Sequence, residues 1–200
     1  MVITLYVLLL RQNMKLPPSA VPDDLSADEY FELGMDYKSA GWCELARRAL
    51  LKAIDCDPTG RVAAKAERFL RTKIPVNPVP EAAEAKNIQA FNQMVSGSSI
   101  AARKTFEELI ADYPQYEWPF SNLAAMCIDQ GDLERAQSLL AHALEINPYY
   151  VNALIHMARA HAANFDMGEA MRFVDLALEC DPEDEHAREV RGAIKQIADL

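Results

Sequence analysis

Apolar residues in the second half of this chain recur at steps of three and four, the spacing that places them on one face of a helix. In residues 118–129 the stripe is Phe120, Leu123, Ala124 and Cys127. Gly131-Asp132 interrupts it, and a second stripe runs through Leu133, Ala136, Leu139, Leu140 and Ala143 until Asn147-Pro148 ends it. Glycine and proline at these positions read as turn and stop signals, so the segment predicts two amphipathic helices joined by a tight turn.

The pattern repeats. Pro114, Pro148 and Pro182 are spaced by 34 residues, and the same step maps Phe120 to Leu154, Leu123 to Met157, Ala124 to Ala158, Ala136 to Ala170, Leu140 to Val174 and Ala143 to Ala177. One step back, Ala102 and Phe106 fall on Ala136 and Leu140. Ala124 and Ala136 sit where paired helices approach most closely, and a larger side chain there would overpack the contact. An earlier stretch, 27–58, fits the same template through Tyr30, Leu33, Gly34, Tyr37, Gly41, Ala46, Leu50, Ala53 and Pro58. Ser26 and Glu29 form a capping-box pattern at its start.

Leu33-Gly34-x-x-Tyr37, Ala46-x3-Leu50-x2-Ala53 and Pro58 make this unit resemble the tetratricopeptide repeat family. The resemblance implies an all-α fold, a right-handed α-solenoid of helix-turn-helix units. Units 117–150 and 151–184 match nearly as well. Unit 83–116 keeps Ala90, Ala102, Phe106 and Pro114, but Gln89 and Gln93 stand in apolar columns, which predicts a helical slip or altered packing there.

The frame breaks once, between Pro58 and Pro114. The extra segment holds a helical stripe over 61–72 (Val62, Ala66, Phe69, Leu70) and then Pro75-Val76-Asn77-Pro78-Val79-Pro80, a stiff extended linker. The reading is therefore a single unit with an extra covering helix (26–74), a linker (75–80) and a three-repeat array (81–200). Residues 184–199 cap that array, with Ala187, Val190, Ile194 and Ile197 on one face and Glu183, Asp184 and Glu185 favouring the helix N-terminus. Residues 1–25 read as an extended or disordered lead-in. Their apolar run, Val2 to Leu10, is less than half of the ~20 residues a spanning helix needs. Arg11 and Lys15 follow the run rather than precede it, against a secretory signal. A cytoplasmic protein is expected, with a membrane-tethered or exported one as the alternative.

Thirty acidic against twenty basic residues give a net charge of −10 and disfavour nucleic acid or an anionic lipid surface as partner. The densest basic stretch, Arg61, Lys65, Arg68, Arg71 and Lys73, alternates with an apolar face and reads as a solvated helix back. His156 and His161, five apart, point in different directions on a helix and cannot share a metal. Cys127 falls in a core column, and Cys56 and Cys180 share a column that reads as small buried apolar residues. Glu107-Glu108 and the acidic run 181–185 are predicted on solvated surfaces. No phosphate loop, metalloprotease or hydrolase motif is present. Neither enzyme activity nor a metal or other cofactor is expected.

A stack of helix pairs curls so that the first helices line a concave face. Positions off the core stripe of those helices supply the candidate peptide groove: Asn87, Phe91, Trp118, Asn122, Asn152, Ile155 and Arg159. Rings there can bury a partner's side chains, amides can meet its backbone, and Arg159 can take a carboxylate. The competing role for Trp118 is packing against Tyr113 and Tyr116, and for Phe91 a place in the core. Some members of the resembled family grip an acidic carboxy-terminal peptide with a lysine-rich clamp; here the matching columns lack the lysines, and only Asn122 corresponds. The expected function is a non-catalytic adaptor that binds a protein or peptide segment. The alternatives are a secretion-type or assembly chaperone and a self-assembling homo-oligomeric scaffold, the latter opposed by the acidic capping helix.

Overall fold

The computed structural model describes residues 18–198, so the expectations for residues 1–17 lie outside it. Every regular element among the described residues is an α-helix. The chain divides into two compact units, one ending at Glu67 and the other beginning at Arg68.

The first unit contains α1 (Ala27–Ser39), α2 (Cys43–Cys56) and the start of α3 (Arg61–Lys73). Ser26 caps α1 by accepting from the Glu29 N–H, and the Glu29 carboxylate accepts the Ser26 N–H at 2.9 Å, so two N-terminal donors are satisfied reciprocally. Tyr30, Leu33, Gly34 and Tyr37 of α1 are buried, as are Ala46, Ala49, Leu50 and Ala53 of α2, and these two helices pack together. A Cβ at Gly34 would stand 2.7 Å from Leu50 Cγ, so glycine sets how closely they approach. The lead-in is non-helical but docked: Val21 is buried, and Pro22 accepts hydrogen bonds from Tyr30 Oη and Lys52 Nζ. Cys56 is exposed rather than buried, because its column falls on the last residue of α2, where nothing need cover it.

The second unit is a succession of hairpins: α4 (Glu81–Val95) with α5 (Ser99–Asp112), α6 (Glu117–Asp129) with α7 (Leu133–Ile146), and α8 (Val151–Ala163) with α9 (Met167–Cys180), followed by α10 (Glu185–Ala198). Consecutive helices touch, and so do α4 with α6, α6 with α8 and α8 with α10, the contact pattern of a helical-repeat solenoid. The 34-residue columns hold throughout. Ala90, Ala124 and Ala158 are each fully buried, and so are Ala102, Ala136 and Ala170.

No slip occurs in the first hairpin of the array: Ala83 and Ala90 keep the register of Glu117 and Ala124 and are buried like them. Gln89 is exposed and Gln93 half-buried. In the next repeat the residue in the Gln89 column, Leu123, packs into a cluster with Ala90, Ala102 and Phe106. Gln89 is exposed, so a polar side chain is tolerated there.

The turns show a departure in the last repeat. Gly97 and Gly131 adopt φ of 88° and 78°, and the next residue in that column, Phe165, holds φ at 60° without being glycine. Asp132 and Asp166 then cap α7 and α9. At the far end α10 buries Ala187 and Ile194 against the α8–α9 hairpin.

Residues 68–77 belong to this second unit and run across its inter-repeat loops. Asn77 Nδ2 donates to the Gln115 carbonyl at 3.2 Å, and the Val76 N–H donates to Glu117 Oε1 at 2.9 Å. Asn147 Nδ2 donates both to Glu117 Oε1 and to the Arg71 carbonyl. Lys73 Nζ lies 3.2 Å from Asp181 and 2.5 Å from Asp184, and Arg68 pairs with Glu183 at 2.9 Å. Ile74 is 1% exposed, and the Arg71 guanidinium lies over the Tyr149 ring. The basic stretch is therefore not a solvated back in this part; the acidic partners of Arg68 and Lys73 stand more than 100 residues away in sequence. Burial raises the Asp184 carboxyl's pKa, but hydrogen bonds from Lys73 and the Ala187 N–H outweigh it and hold the group below its usual range.

Candidate functional site

The first helices of the array, α4, α6 and α8, lie side by side, and the 34-residue step organises their shared face into rows. The row Asn87–Ser121–Ile155 is buried in all three repeats. Ile155 is fully buried with Val151, Ala158, Ala187 and Ile194, so it belongs to the core and not to a groove wall. The capping helix puts it there. Asn87 is 3% exposed, and its Oδ1 accepts from Asn122 Nδ2 at 3.2 Å, so one bond ties the two amides together.

The rows nearer the C-terminal ends of these helices are partly exposed at most positions. One holds Ile88, Asn122 and His156, the next Phe91, Ala125 and Arg159, and the third Val95, Asp129 and Ala163. Phe91 is 45% exposed and Val95 70% exposed. Ala125, small and nearly covered, separates Phe91 from Arg159 along its row. Asn152 is also exposed, at the opposite end of α8. Thus Phe91, Asn122 and Arg159 come together on one face. Asn152 stands apart, and Asn87 and Ile155 do not present themselves.

Trp118 takes its packing role. It is half-buried against the cluster of Phe120, Ala124 and Leu140, with its ring centroid 5.8 Å from that of Tyr116. Ile88, Val95 and Asp129 were not among the candidates from sequence. Stepping back from Asn122 by one repeat length reaches Ile88, so that signal was present in the columns, whereas no candidate maps onto Val95 or Asp129.

The charge on this face is largely settled internally. Arg159 reaches Asp129 at 3.3 Å and His156 Nδ1 at 3.2 Å. His156 keeps some exposed surface, yet burial first, then the charges of Arg159 and His186, bring its pKa from 6.5 down to about 3. It stays neutral at physiological pH. The unfolded chain gains a proton at this residue below about pH 6.5 that the fold refuses until near pH 3, so its contribution makes stability fall as pH drops through that window. His156→Gln should flatten the acid side of a stability-versus-pH curve measured by urea unfolding between pH 6.5 and pH 4. An unchanged slope would show that His156 does not govern it.

The remaining ionisable candidates form no reactive cluster. His161 stacks on Phe173 and faces Asp166, Cys127 is buried, and Cys180 is half-buried, its thiol pKa raised chiefly by burial. Among the described residues no group of three or more His, Cys, Asp or Glu side chains is placed to hold a metal ion. No described helix is long and apolar enough to cross a membrane. A shallow cleft of about 540 Å³ lies away from the first-helix face, lined by Ile110, Phe120, Leu139 and His142.

Helix pairs in a 34-residue register, with their first helices side by side, define a helical-repeat protein. Residues 128–194 match the model of the tetratricopeptide repeat. No curated protein matches it. Among solved structures, the thermophilic tetratricopeptide-repeat protein TTC0263 of Thermus thermophilus aligns at TM-score 0.55 and 18% identity, covering 86% of this chain and 82% of its own. The type III secretion translocator chaperone SycD of Yersinia enterocolitica aligns at 0.54 and 20%, covering 61% and 98%. The TPR2B domain of yeast Sti1, in complex with pHsp70, aligns at 0.52 and 25%, covering 57% and 96%.

Proposed function

We propose that this protein is an interaction adaptor that holds a partner segment against the first-helix face of its second unit. The observation that carries the reading is the open set of Phe91, Val95, Asn122 and Arg159, side chains that face outward from three successive repeats. Exposed Phe91 and Val95 beside an amide and a guanidinium offer apolar area with a polar rim to a partner segment. The similar Sti1 domain was solved in complex with pHsp70, which supports peptide capture as a use of such a face. End-to-end assembly finds no support, because α10 covers one end of the array.

The test is the double variant Phe91→Ala with Arg159→Ala, used as bait in affinity capture from the native cell. Both residues lie outside the core clusters, so thermal unfolding should move by no more than a degree or two. Recovered partner should fall at least fivefold. Full capture by the double variant would place the partner elsewhere on the protein.

A further inference from the structure

The charge and shape of the open rows narrow the partner. Residues 87–102 contain no ionisable side chain, in a chain of net charge −10. Within that stretch Ile88, Phe91 and Val95 recur at three and four on α4 and are all exposed, a narrow apolar stripe along one side of the helix. Across the face the charges cancel: Arg159 is bound by Asp129, and His156 is held neutral. An acidic tail would have to displace Asp129 from Arg159 and approach a strongly acidic protein. The paired amides of Asn87 and Asn122 leave less to offer an extended backbone.

We infer that the groove takes an amphipathic helix from a partner, its apolar face laid on the Ile88–Phe91–Val95 stripe and its flanks basic. The inference rests on the groove reading above and specifies it. A helical stripe receives another helix by packing ridges into grooves. Basic flanks match the long-range field of the chain and would speed encounter. A second copy of this chain could offer a similar uncharged stripe, but each copy carries a net charge of −10, and the two repel at long range.

The experiment uses the full chain, isotope-labelled for NMR, titrated with three synthetic peptides. One is a leucine–lysine helix with leucines at i, i+3, i+4 and i+7. The second has the same composition scrambled, and the third is the acidic heptapeptide Ser-Arg-Met-Glu-Glu-Val-Asp. The amphipathic helix should bind at least tenfold tighter than the scrambled peptide, with shifts confined to the open faces of α4, α6 and α8. Val95→Asp should weaken that binding at least tenfold without moving the thermal midpoint. Equal binding of helix and scramble overturns the inference. So do shifts along α4 that grow with protein concentration before any peptide is added, since the occupant is then a second copy. Tighter binding of the acidic peptide at Asn122 and Arg159 overturns the partner class and leaves the groove reading standing. Shifts that avoid the face for every peptide overturn both.

Discussion

Replacing Phe106 by alanine should lower the unfolding free energy of the second unit by about 3–5 kcal/mol, the range for emptying a fully buried aromatic site. Phe106 has no exposed surface and sits in a cluster with Ala83, Ala90, Ala102 and Leu109 of its own hairpin and Leu123 and Met126 of the next. Three of these six neighbours are alanines, which have no reach to fill the space. The cavity therefore opens at the junction of two repeats and weakens the coupling between them as well as the first hairpin. Trp118, in the second unit, supplies the signal in a Trp42→Phe background during urea unfolding. A loss below about 1 kcal/mol would mean the hairpin collapses onto the gap, and that the alanine columns do not fix the spacing of the helices.

The second large effect is expected at Asn147. Its side chain is 2% exposed and joins three segments: it donates to Glu117 and to the Arg71 carbonyl, and its Oδ1 accepts from the Tyr149 N–H. Asn147→Leu keeps the volume roughly but removes every one of these bonds. It leaves the buried Glu117 carboxylate and the part-buried Arg71 carbonyl each short of a donor, at a cost of about 2–3 kcal/mol. The Val76 amide, which donates to the same Glu117 oxygen, should lose hydrogen-exchange protection together with its neighbours. Unchanged protection at Val76, with stability within about 0.5 kcal/mol of the parent, would show that this joint holds nothing in place.

The helices were legible because their signals are local. The capping box at Ser26 and Glu29, the turn glycines and the alanine columns each follow from spacing within one or two helices. The site was legible only in part. Off-stripe positions could be found by counting, but their exposure depends on what else covers them. Ile155 is enclosed with residues of the capping helix more than 30 positions later, and Asn87 is tied to Asn122 one repeat on. The two glutamines of α4 suggested a displaced helix because a mid-array template was applied to the array's first hairpin. The partners of Arg68 and Lys73 were beyond reach for a similar reason, since charge alternation along α3 carries no information about loops near residue 181.

Arg68 to Asn77 gives the interruption between Pro58 and Pro114 a meaning that a count of motifs misses. A segment that breaks the numbering of the repeats works as a thread, stitching the edges of three successive hairpins by hydrogen bonds and ion pairs. The natural boundary for dissecting this molecule is consequently not its run of prolines. A fragment begun at Glu81 would contain every repeat of the array and still leave Glu117, Asn147 and Asp181 bereft of the groups that complete them.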